Sequence, residues 1–210
     1  MSNSIGMDFW VNIGIAVTGL VGGMITGYSY MKKRYFETHK DEHSEIDISD
    51  PKDQKHSHIH ELLTALRLQL EASRTQIGQF HNGGKFLEGS PMKRFSVSHE
   101  SCGFGVSMEY PYLQSVLVTI FWDIVEILKE DNSKVRFTDS LNPQSSLRVY
   151  NKSKDIEAFA ILPIRKGEVF VGFVKVEWSD RNEIPSDQED CHKILEQYRA
   201  FIELEIKRQS

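Results

Sequence analysis

The most conspicuous pattern in the chain is an interval from Phe9 to Met31 with no charged side chain. At about 1.5 Å of rise per residue, a helix over this interval covers the roughly 30 Å hydrocarbon layer of a bilayer. Phe9 and Trp10 stand at one edge and Tyr28 and Tyr30 at the other, where amphipathic rings favour the headgroup region. Lys32, Lys33 and Arg34 follow at once, whereas Asp8 is the only charged side chain before it, so the positive-inside rule puts the C-terminal side in the cytoplasm. The pattern predicts a short extracytoplasmic leader (1–8), a single membrane helix (9–31), a charged juxtamembrane linker (32–57) and a soluble domain (58–210). A cleaved signal peptide would carry its basic residues before the apolar stretch, which is the opposite of what is found. Glycines at 14, 19, 22, 23 and 27 would weaken a helix in water but are tolerated in a bilayer. Gly19, Gly23 and Gly27 recur every fourth residue and either let two such helices approach closely or reflect only how common glycine is in spans.

The linker is rich in charged residues and Ser, contains Pro51, and reads as a flexible or weakly helical tether. His39 and His43 are four apart and His56, His58 and His60 alternate, which suits either solvated linker histidines or an adventitious metal contact.

Helical spacing of Ile59, Leu62, Leu63, Leu66 and Leu70 opens the soluble domain with an amphipathic helix. A short strand is expected over 75–81, then a turn at Asn82, Gly83 and Gly84, then an alternating strand over 93–101. In that second strand, alternation puts Phe95 and Val97 on one face and Arg94, Ser96, Ser98 and Glu100 on the other. Leu113, Val116, Leu117, Ile120, Phe121, Ile124 and Leu128 predict a core helix, because Asp123 and Glu126 cut its uncharged run too short to span a bilayer. A short strand at 134–138 and an irregular stretch over 143–154 come next. Two strands, 156–164 and 169–178, meet at Arg165, Lys166, Gly167 and Glu168 as a hairpin. Cys191, Ile194, Leu195, Tyr198, Phe201 and Ile202 predict a closing helix. Hairpins dominate this order, so the fold class is α+β with a central antiparallel sheet, the first and last helices sharing one face.

A net charge of -5 from intermixed acids and bases gives no reason to expect a nucleic-acid partner. Cys102 and Cys191 are the only cysteines, too few for a disulfide framework or a zinc site. No Gly-rich phosphate loop, paired-histidine metal motif or nucleophile elbow is present, so no catalytic residue, metal ligand or cofactor is assigned.

The segment from Ala158 to Glu205 resembles the C-terminal half of GAF domains: a strand ending Leu162, Pro163, Ile164, a turn, then Val171, Gly172, Phe173, Val174, an acidic loop with Asp187, Glu189 and Asp190, and a final helix. Residues 58–208 match that family in length and element order. The resemblance implies a sensory or regulatory module rather than an enzyme, dimeric through its first and last helices, with a ligand pocket between the sheet and the intervening helices and loops. The family's cyclic-nucleotide and tetrapyrrole signatures are not recognisable here. The pocket would be bordered by His81, Asn82, the strand with Arg94, Ser96, Ser98 and Glu100, and the region around Tyr110. On their own chemistry those side chains either orient a small polar or zwitterionic ligand or form a wet sheet face. The wider fold includes cysteine-dependent methionine sulfoxide reductases, which makes Cys102 a nucleophile to weigh, although it has no resolving partner nearby. The function expected is a membrane-anchored, dimeric module on the cytoplasmic face of the cell membrane, binding a small ligand or a protein; the alternative is a ligand-free tethered scaffold.

Overall fold

The computed structural model describes residues 51–130 and 132–207, with side chains from residue 54 onward. The expected membrane helix with Gly19, Gly23 and Gly27, the basic triplet Lys32, Lys33 and Arg34, and His39 and His43 lie outside the described residues. Among the described residues no helix is long and apolar enough to cross a membrane.

Helix α1 (Pro51–Gln69) includes residues read as linker. Its stripe of Ile59, Leu63 and Leu66 is fully buried. Strands β1 (Arg74–Lys85) and β2 (Pro91–Cys102) form a long hairpin. The edge strand β3 (Val116–Leu117), helix α2 (Trp122–Glu130), strand β4 (Arg136–Phe137) and helix α3 (Ser146–Ser153) follow. Strands β5 (Ala158–Lys166) and β6 (Val169–Trp178) make the second hairpin, and α4 (Gln188–Lys207) closes the domain.

All neighbours in the resulting six-stranded sheet, order β3-β2-β1-β6-β5-β4, are antiparallel. One face packs on α1 and α4 through Ile59, Leu63, Ile77, Leu162, Val174, Leu195 and Ile202. The other packs on α2 and α3 through Phe95, Ile124, Leu128, Leu147, Phe159 and Phe173. The expected α+β class and the shared face of the first and last helices are therefore as observed.

Three local expectations are corrected. Asn82, Gly83 and Gly84 continue β1 instead of turning: Asn82 pairs with Lys93 and Lys85 with Pro91, and the two glycines lie in the register shift between those pairs. The helix expected from Leu113 begins only at Trp122, since Ser115 has φ 56 and residues 116–117 pair with β2, covering an otherwise open sheet edge. The stretch around residue 150 contains α3, capped by the Ser145 hydroxyl, which accepts the Arg148 N–H at 3.1 Å.

Candidate functional site

The strand predicted to present Arg94, Ser96, Ser98 and Glu100 together does not do so. Gly78 pairs with Val97 and Ile77 with His99, so Ser98 is an extra residue bulged out of the ladder. A bulge reverses the alternation beyond it. Glu100 therefore pairs with Gln76 on the face of Val97 and Phe95, while Ser96 and Arg94 pair with Gln79 and His81 on the opposite face.

On the Glu100 face lies a buried ionic network. Arg74 Nη1 donates to Glu177 Oε2 at 2.7 Å, and its Nε is 3.3 Å from Glu100 Oε1. Lys175 Nζ is 2.5 Å from Glu177 Oε1, and Lys154 Nζ is 2.8 Å from Glu109 Oε1. Arg74 Nε, Glu109 Oε1 and Glu177 Oε1 lack well-directed hydrogen bonds, yet each sits within ion-pair range of an opposite charge, so none is stranded. Burial pushes the Tyr150 phenol up, reinforced by Glu177 and Glu109, so it stays protonated and donates to Glu109 Oε2 at 3.1 Å. The Glu100 carboxylate accepts the N–H groups of Glu109 and Tyr110, each at 3.0 Å. Glu100 is thus a fastening for the loop beyond β2, and the Tyr110 side chain that this loop carries is exposed.

Between this network and the aromatic cluster of Phe95, Phe121 and Phe173 the space is nearly filled. The cavity there measures about 20 Å³, room for a single water.

A much larger groove opens on the same layer, toward the tip of the β1–β2 hairpin. It measures about 620 Å³ and is lined by Phe80, Phe86, Val118, Trp122, Val125 and Phe170 among others, with Asn82 and Lys93 supplying polar side chains and His81 at its border. Strand pairing places Asn82 beside Lys93, whose ammonium donates to Asn82 Oδ1 at 2.8 Å. His81 Nε2 is 2.9 Å from Ser96 Oγ, which also accepts the Ser115 N–H at 2.8 Å. Arg94 donates to the Ser115 carbonyl, holding the strained residue before β3 in place. Of the residues expected at the site, Asn82 lines the groove and His81 borders it with its ring turned to Ser96 on the other face; Arg94, Ser96, Ser98, Glu100 and Tyr110 do not line it. Lys93 and the apolar wall were missed. The sequence signal for that wall was apolar side chains, Val118, Val125 and Phe170 among them, at positions that read simply as core.

Elsewhere, His56 Nδ1 lies 2.9 Å from His99 Nε2, joining α1 to β2. Burial, with His56, His60 and Lys55 nearby, lowers the His99 pKa to about 4. Cys102 is a poor nucleophile: burial, then Glu100, raises its pKa, which disfavours the thiolate. Cys191 is buried on α4, its pKa pushed up to about 11 by burial and Asp190. Among the described residues no group of three or more His, Cys, Asp or Glu side chains is placed to hold a metal ion.

No family model and no curated protein matches the sequence. Solved structures do match the fold. The phycocyanobilin-bound GAF domain of a cyanobacterial phytochrome superposes with a TM-score of 0.53 at 13% identity, over 74% of this chain and 87% of that one. A far-red cyanobacteriochrome photoreceptor gives 0.55 at 13% identity, over 73% and 86%. The GAF domain region of a Geobacter sulfurreducens PCA protein, provisionally described as a membrane protein, gives 0.51 at 17% identity, over 74% and 94%. The described domain has the GAF fold.

Proposed function

We propose that this chain is a membrane-anchored sensory or regulatory module whose GAF-fold domain binds a small ligand in the groove beside His81 and Asn82. The observation that carries this reading is the groove itself. Its volume of about 620 Å³ falls in the range of small-molecule sites, and its mainly apolar wall with few polar groups is their usual composition. The anchor rests on the uncharged interval 9–31, and the cytoplasmic placement of the domain rests on Lys32, Lys33 and Arg34. A homodimer fits the exposed apolar side chains on the first and last helices, Leu68 on α1 and Phe201 and Leu204 on α4.

A second reading, a tethered scaffold that binds a protein and no small ligand, is favoured by one observation. The space between the network and the Phe95 cluster is only about 20 Å³. Thermal unfolding of the full chain in lipid nanodiscs, screened against metabolites, nucleotides and amino acids, separates the two. A ligand at about 100 times its Kd adds about 2.7 kcal/mol to stability. The sensor reading requires a saturable rise in Tm that Val125→Trp, which intrudes on the groove, weakens or abolishes. A well-folded chain that ignores every compound but retains a protein partner at the membrane supports the scaffold.

A further inference from the structure

Resting on the groove as the binding site, we infer the chemical class of its occupant: a compact amphiphile with an aromatic or aliphatic body and a single anionic head, a carboxylate in the simplest case. The wall of Phe80, Phe86, Val118, Val125, Leu128 and Phe170 offers a polar molecule nothing in return for its lost hydration, so the body of the ligand is apolar. Apart from the Thr119 hydroxyl and the Trp122 indole N–H, the polar side chains of the groove gather at the hairpin rather than along this wall. Asn82 and Lys93 are cross-strand partners facing the same layer, so the head is recognised in one place.

The sign of the head follows from charge. Lys93 is the only lysine or arginine among the lining residues, and no Asp or Glu lines the groove. An ammonium has three donors and no acceptor, and the Lys93 contact with Asn82 Oδ1 engages one of them. Two further cations lie over rings of the same wall, Lys129 Nζ at 5.3 Å from the Trp122 ring and the Arg165 guanidinium at 4.2 Å from the Phe170 ring. A cationic head beside Lys93 would be repelled, and the Trp122 and Phe170 faces that could attract it already hold Lys129 and Arg165. A polyphosphate is equally unsuited, because a single lining cation is too little to replace its hydration.

The test is calorimetric titration of the full chain in lipid nanodiscs with a matched series, phenylbutyrate, phenylbutanol and phenylbutylamine, with empty nanodiscs as the blank. The acid should bind about tenfold more tightly than the alcohol, the margin of one charge-assisted contact, and the amine most weakly. Lys93→Gln, at an exposed position where folding is not at stake, should erase the gap between acid and alcohol and leave the alcohol unchanged. Equal binding of acid and alcohol to the unmodified chain would overturn the anionic head while leaving the groove standing. Failure of all three to bind at millimolar concentration would overturn the groove as well. Acid binding that survives unchanged in both Val125→Trp and Thr119→Trp would place the ligand elsewhere and overturn the inference.

Discussion

Arg74 and Glu177 face each other across the β1–β6 register, Nη1 to Oε2 at 2.7 Å, with both side chains withdrawn from water. Around them Glu100, Glu109, Lys154 and Lys175 complete a set of three acids and three bases, so the network carries no net charge. Removing one member leaves an uncompensated buried charge, which costs more than the pair contributes. Arg74→Ala should therefore destabilise the domain by about 3–5 kcal/mol. The double variant Arg74→Met, Glu177→Met restores charge neutrality but leaves Glu100 and Lys175 without their ion partners, so it should recover only part of that loss. Urea unfolding followed by circular dichroism checks both; equal losses in single and double variants would mean that the charges do not act as a pair.

How much of this was legible beforehand depends on the kind of information each feature needs. The β5–β6 hairpin was readable because continuous apolar runs flank a four-residue polar turn, a purely local pattern. The leucine stripe of α1 was readable for the same reason. The face of Glu100 was not, because the bulge at Ser98 exists only relative to β1, and an inserted residue looks like any other in a single strand. The ionic network was equally hidden: Arg74, Glu100 and Lys175 lie on three different strands and became one cluster only through long-range register. The helix expected over 113–128 forms only from Trp122, because apolar residues at helical spacing also suit a loop that covers a sheet edge. Of the groove, only the polar corner was visible, since His81 and Asn82 are unusual where Phe80 and Val118 are ordinary.

The contact between His56 and His99 makes stability depend on pH with a definite sign. The native state holds His99 near a pKa of about 4, below the ordinary 6.5, so between those values the unfolded chain binds more protons than the folded one. Stability should then rise with pH through this window and be lost as acid titrates the group. The slope stays well under the roughly 1.4 kcal/mol per pH unit of a fully coupled group, because His99 is only half-buried and His56 is exposed. Comparing urea midpoints at about pH 7 and about pH 5 should show a smaller acid loss in His99→Gln than in the unmodified chain. An identical loss in the two would assign the pH effect to His56, His60 or another group.

Gly172 sits opposite Gln79 where β6 passes β1, and a side chain there would drive its Cβ into the carbonyl oxygen of Gly78. Backbone cannot yield as a flexible side chain can, so the strands would have to separate. Gly172→Ala should cost about 1–3 kcal/mol. Gly84→Ala faces open space, so its cost comes only from its positive φ of 109. The two variants side by side in thermal unfolding test steric closeness against backbone strain; a larger loss at Gly84 would put strain first.

In the proposed membrane-anchored arrangement, the orientation of the domain would rest on three cations, which can be replaced without touching the fold. Charge within a turn or two of a membrane helix sets which end stays in the cytoplasm, and acidic residues count for little in that choice. Asp8 before the interval offers no competing cation, so Lys32, Lys33 and Arg34 should dominate. Replacing all three with glutamine should send a measurable fraction of chains in with the opposite orientation. Adding three lysines before Phe9 as well should raise that fraction further. In sealed vesicles that expose the cytoplasmic face, protease should digest the domain of the unmodified chain and spare it in the inverted fraction. Unchanged digestion in both variants would show that the folded domain itself, rather than flanking charge, decides which side it occupies.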